Sequence, residues 1–153
     1  MYLVIVLLLM LVLPVGSTVA EYFSGGSAPL MALVGKWFVF WGVGVRLLLA
    51  GIRQFVQPRF TAEQIFQTTS PDVLPLVREL GVANFAAGVV GVASLAAQSF
   101  VLPSAISAAI FYGVAGVRHI AEHDKSRNEN IAMISDLFIF AVLSAFAAYA
   151  LLA

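Results

Sequence analysis

Five runs of apolar residues, each close to or above the length needed to cross a bilayer, leave little chain for anything else. They cover roughly residues 2–20, 31–56, 80–100, 102–121 and 131–152, and a helix needs about 20 such residues to span the hydrocarbon core. Hydrophobic residues fill 61% of the 153 positions and charged residues 10%, a balance that a soluble domain of this size could not bury. Lipid offers no water to backbone N–H and C=O groups, so the runs are read as helices. Their continuity excludes the alternating strands of an outer-membrane barrel. The fold class is therefore an all-α integral membrane protein. A single bundle of five transmembrane helices occupies 1–153, with an interfacial segment at 57–72.

The few charges are distributed unevenly. Arg53, Arg59 and Arg78 lie between the second and third runs, and Arg118, Lys125 and Arg127 between the fourth and fifth. The connections at Glu21–Leu30 and Gln98–Pro103 contain no Lys or Arg, and Lys36 is the only basic residue near that side. By the positive-inside rule the two basic loops are cytoplasmic, the N-terminus is inside and the C-terminus outside. The setting expected for such a chain is the bacterial cytoplasmic (inner) membrane, as a multi-pass protein. Ser17–Ala20 resembles a signal-peptidase site, but Met1-Tyr2 supplies no basic n-region, so an uncleaved first helix is favoured. Pro14 should kink or loosen that helix.

Several chemistries are excluded outright. With no cysteine there are no disulfides, thiolate nucleophiles or cysteine-ligated clusters. Zero formal net charge and the lack of a basic run leave nucleic acid without support as a partner.

Local chemistry divides the 57–72 segment. Thr61-Ala62-Glu63-Gln64 fits a capping box with Phe60 and Ile65 as its hydrophobic staple, which predicts a short interfacial helix over 62–68. Ser70-Pro71-Asp72 reads as the start of the third membrane helix. Further on, Ala83, Ala87 and Gly91 in the third run, beside Gly81, Gly88 and Ser94, and Ala105, Ala109 and Gly113 in the fourth, form small-residue stripes that let helices approach closely. The short connection between these runs predicts a tight antiparallel hairpin.

Ionisable residues inside membrane helices cost roughly 2.5–3.5 kcal/mol each at the centre, so they mark sites or fastenings. Arg46 and Arg53 are seven apart and share a face within about 20°, with Arg46 ~10 Å the deeper of the two. Arg46 needs a partner, and Glu79, Asp136 and Glu122 are the candidates. The pair could staple helices together, or present a cationic face to a ligand oxygen. Tyr112 lies seven residues before His119, on the same face and deeper, where the two could line a pocket or relay a proton. Asn84 is a further membrane-depth polar group, expected to hydrogen-bond to a neighbouring helix. Trp37, Phe38, Phe40 and Trp41 read as an interfacial aromatic belt.

His119-Ile120-Ala121-Glu122-His123 matches the H-x-x-E-H string of inverted zinc peptidases, with His119, Glu122 and His123 the weak metal candidates. Zinc chemistry needs further ligands and a cleft, so no metal is expected. The alternative is a helix end whose dipole favours cationic residues.

Arg46-x-x-x-Ala50-Gly51, followed by Glu79-Leu80-Gly81-x-x-Asn84-x-x-x-Gly88-x-x-Gly91, resembles the DoxX-like superfamily of small bacterial membrane proteins. The string Arg78–Asn84 is also similar to an Arg-Glu-Leu-Gly-x-Ala-Asn motif that opens the third helix of an uncharacterised bacterial family. The DoxX likeness covers Arg46 to Gly91 and implies a four-helix core, here with an added N-terminal helix, sometimes associated with redox enzymes that pass electrons to quinone. DoxX-like proteins usually have four helices rather than five, and the His119–His123 string is foreign to them.

Together these readings give a cytoplasmic-side pocket lined by Arg46, Arg53, Glu79, Tyr112, His119 and Asp136. Its expected ligand is a quinone, lipid or other small amphiphile. The chain is not expected to be an enzyme on its own. Membrane lipid is the expected partner, with membrane proteins or further copies of the chain as others. An accessory subunit of a larger complex and a small transporter are the alternative functions.

Overall fold

In a computed structural model, which describes residues 2–152, the five apolar runs become five helices long and apolar enough to cross a membrane. They are α1 (Tyr2–Phe23), α2 (Leu30–Val56), α4 (Val73–Ala93), α5 (Gln98–Ala121) and α6 (Arg127–Leu152). A short helix, α3 (Pro58–Gln64), lies between α2 and α4. No strand occurs among the described residues. The protein is a multi-pass, all-helical membrane protein.

Two spanning helices carry π-helical stretches. In α1 the stretch Leu8–Val12 directly precedes Pro14, which has no N–H to donate, so the expected loosening takes the form of a wider turn. In α2 the stretch Val39–Val45 ends at Arg46. There the Arg46 N–H bonds the carbonyls of Trp41 and Val43, so the Gly42 carbonyl loses the donor it would have in α-register.

Helix α2 is the hub. Helix α4 packs against its residues 39–56, while α1, α5 and α6 meet its N-terminal half. Glycine makes the α2–α4 contact possible: a Cβ on Gly44 would fall 2.7 Å from the Gly91 carbonyl carbon, and one on Gly51 2.5 Å from the Gly81 carbonyl oxygen. On α4 the buried stripe is therefore Gly81, Asn84, Gly88 and Gly91. Of the small residues expected to pack, Gly81, Gly88, Gly91 and Ser94 are buried, whereas Ala83 is exposed and Ala87 only half-buried. The expected tight α4–α5 hairpin does not form either. The two helices have few close approaches, because the glycine face of α4 is committed to α2, and Gly113 and Gly116 of α5 face Phe140 and Leu137 of α6.

Other boundaries also move. The turn between α4 and α5 falls at 94–97, ahead of the expected Gln98–Pro103, because Pro103 sits in the first turns of α5, where its missing N–H is harmless. The 57–72 segment forms its helix earlier than expected. Gln57 occupies the N-cap and Pro58 the first helical position, leaving Thr61 inside the helix rather than at its cap. Asp72, not Ser70, precedes α4, although the Ser70 hydroxyl accepts from the Asp72 N–H at 3.4 Å. Phe38 is buried in the core, so the aromatic belt reduces to Trp37, Phe40 and Trp41. At that end Glu21 binds Lys36 and the Trp37 indole, at 2.7 Å from each, and fastens α1 to α2.

Candidate functional site

Because α4 and α5 diverge, the half of the bundle that carries Arg53 and His119 holds an open cavity of about 970 Å³ to which all six helices contribute. Arg46 is at its polar core. The Arg46 Nη1 approaches the Tyr112 hydroxyl at 3.4 Å, and Nη2 lies 3.5 Å from Asp136 Oδ1. Tyr112 is fully buried, and its hydroxyl donates to the Gly42 carbonyl at 2.9 Å. The π-stretch of α2 is thus tied to the site: it withdraws the usual donor from Gly42, and Tyr112 replaces it.

Asp136 is the partner that Arg46 requires. Helix α6 begins at Arg127 rather than at 131, which puts Asp136 ~14 Å along its axis and level with Arg46. The pair is within ion-pairing range, yet Oδ1 is buried and accepts no hydrogen bond. Arg46 has five N–H donors and spends few of them on protein groups.

A second polar group lines the cavity where α5 ends and α6 begins. His119 Nδ1 lies 3.0 Å from Glu129 Oε1, and Glu129 is 3% exposed. The Gln67 amide donates to Glu129 Oε2 at 2.9 Å and to the Asp124 carbonyl at 2.5 Å. Gln67 has φ +51°, the one left-handed non-glycine backbone among the described residues, so these bonds hold it in a conformation that side chains disfavour. The Ser126 hydroxyl also donates to the Gln64 carbonyl at 3.0 Å, joining the α3 end to the α5–α6 loop.

Of the expected site residues, Arg46, Arg53, Tyr112, His119 and Asp136 all line the cavity. Glu79 does not. It is exposed on α4, because the residues of α4 that face inward are Val77, Gly81 and Asn84. Arg53 stacks on Phe60, its guanidinium carbon 3.5 Å from the ring centroid. Asn84 donates to Gln54 at 2.8 Å, crossing from α4 to α2 as expected.

The His119–His123 string does not share a helical face. Helix α5 ends at Ala121 and Glu122 is extended, so Glu122 and His123 are exposed while His119 turns to Glu129. No three His, Asp or Glu side chains converge at metal-binding range among the described residues. Glu129, Gln67 and Gln54 are site residues that sequence reasoning missed. Glu129 reads as one more charge in a polar loop, and the only signal for it is its separation from His119 across a short connection.

A family model covers the whole chain, residues 1–153. The chain belongs to the family of unknown function DUF6790. No curated protein and no solved structure matches it.

Proposed function

We propose that this protein binds a small amphiphile, a quinone, a lipid or a molecule of similar build, in the cavity around Arg46. The observation that carries the reading is a guanidinium at membrane depth facing a roomy cavity, with one loose ion-pair partner and donors to spare. A fastening built only for stability would engage both partners in close hydrogen bonds, since each buried charge otherwise goes underpaid in solvation. Asp136 balances the charge of Arg46, Tyr112 orients it, and His119 has a second ring nitrogen free to hydrogen-bond the ligand or move a proton.

The proposal sets the protein in the bacterial inner membrane with its N-terminus and the cavity mouth on the cytoplasmic side, where the Arg and Lys residues of both polar loops belong. It keeps the DoxX-like, redox-associated setting that Arg46–Gly51 and Glu79–Gly91 resemble, with Glu79 removed from the ligand's surroundings. An accessory-subunit role has less support: the glycine faces of α2, α4 and α5 are spent within the bundle.

Native mass spectrometry on protein gently extracted from its own membrane tests the reading. A small-molecule adduct on the monomer or homo-oligomer is the expected result. A hetero-complex carrying no small mass would reduce the arginine cluster to scaffolding and overturn it.

A further inference from the structure

The cavity has a second cation that no protein carboxylate balances. Arg53 forms no ion pair among the described residues; its guanidinium rests on Phe60 and lines the cavity. The other arginine deep in the site, Arg46, is already matched to Asp136, and the Glu129 carboxylate is engaged by His119 and Gln67, while Arg118 also lines the cavity but is exposed. Glu122 is exposed at the mouth, with its backbone carbonyl taken by Lys125. A ring beneath a guanidinium supports the cation but accepts no in-plane hydrogen bond, so the N–H edge of Arg53 remains available to an anionic oxygen. The donor beside it is of the same kind: Gln54 has its carbonyl oxygen occupied by Asn84, which leaves its NH2 group for a ligand.

The walls around this cation are apolar. Where α4 and α5 diverge, the cavity is lined by Leu80 on one side and by Ile110, Phe111 and Val114 on the other. Ile110 is 64% exposed and Val114 65%, so this side of the cavity is continuous with the lipid-facing surface of the bundle. A ligand with its head at Arg53 can therefore leave its tail between α4 and α5, in contact with the acyl chains of the bilayer.

Resting on the amphiphile-binding reading above, we infer that the ligand is an anionic amphiphile, carrying one carboxylate or phosphodiester head on Arg53 and a hydrocarbon tail in the α4–α5 cleft. It reaches the site laterally from the membrane. Free fatty acid and anionic phospholipid share this chemistry.

The test places the protein in phosphatidylcholine nanodiscs and titrates oleate, phosphatidylglycerol, methyl oleate and decylubiquinone against wild type, Arg53→Gln and Arg53→Lys. Oleate or phosphatidylglycerol should bind wild type and Arg53→Lys, and bind Arg53→Gln at least about tenfold more weakly. Binding of oleate alone identifies a free acid, and binding of phosphatidylglycerol alone a lipid head group. Methyl oleate, which has the tail without the charge, should fail to compete on the wild-type protein, a readout that does not depend on any variant folding. If decylubiquinone binds wild type and Arg53→Gln equally while the anions do not bind, the cavity is a ligand site but the anionic assignment is overturned. If methyl oleate competes as well as oleate, the assignment is likewise overturned. If none of the four binds, the amphiphile-binding reading fails and this inference with it.

Discussion

Removing the Tyr112 hydroxyl isolates one link between the backbone of α2 and the charged centre. In Tyr112→Phe the ring still fills its fully buried position, but the Gly42 carbonyl loses a 2.9 Å donor and Arg46 loses a contact at 3.4 Å. The expected cost is about 1–2 kcal/mol, since a polar group left unpaired in a buried, lipid-surrounded site has no water to turn to. Reversible unfolding in mixed micelles measures it, and an unchanged stability would mean that the π-stretch satisfies its own carbonyls. At this scale the sequence was informative about which residues matter and less so about which of them meet. Arg46, Tyr112 and His119 were legible because their spacings are multiples of a helical repeat within one helix or call for a partner at membrane depth. The choice of Asp136 over Glu79 was not legible, because it depends on where α6 starts and on which face α4 turns inward. Glu129 and Gln67 were hidden for a related reason: their pairing is set by the path of two loops, one of them through a left-handed residue.

Among the elements, the α2–α4 contact is where sequence and structure part most clearly. Spacing-four stripes of small residues exist on both α4 and α5, and the short turn suggests that they face each other. What decides the partner is the difference between glycine and alanine. Only glycine lets the backbones of α2 and α4 come close enough for Gly44 to meet Gly91 and Gly51 to meet Gly81. Alanine at Gly44 or Gly51 would press on backbone, which cannot move aside, and should cost about 1–3 kcal/mol. Gly113→Ala meets the Phe140 ring instead, a side chain that can shift, so its cost should be smaller. Gly16→Ala has nothing within 4 Å and should be neutral or slightly stabilising through helix propensity. Thermal unfolding of the four variants gives the order; a Gly16→Ala loss equal to that of Gly44→Ala would contradict the assigned packing. The consequence for function is direct, because α4 held on α2 is what leaves the cleft beside α5 open.

At the scale of the whole molecule, the five spans, the polar half and the apolar half all follow from the length of the apolar runs and the position of the charges. The cavity itself does not, since it is a by-product of which helices pair. The proposed role of the Arg46 centre is to receive a ligand rather than to hold helices together. These two roles separate in a double substitution. Arg46→Leu alone should destabilise the fold by about 3 kcal/mol, because it strands the buried Asp136 carboxylate. Arg46→Leu with Asp136→Leu removes both charges, and apolar replacement of a buried pair is often neutral or stabilising. The decisive measurement is the small-molecule occupancy of this double variant by native mass spectrometry, alongside its unfolding transition. Recovered stability with the bound molecule lost is the result this account predicts. Recovered stability with occupancy equal to wild type would contradict it and leave the arginine–aspartate pair as a structural fastening.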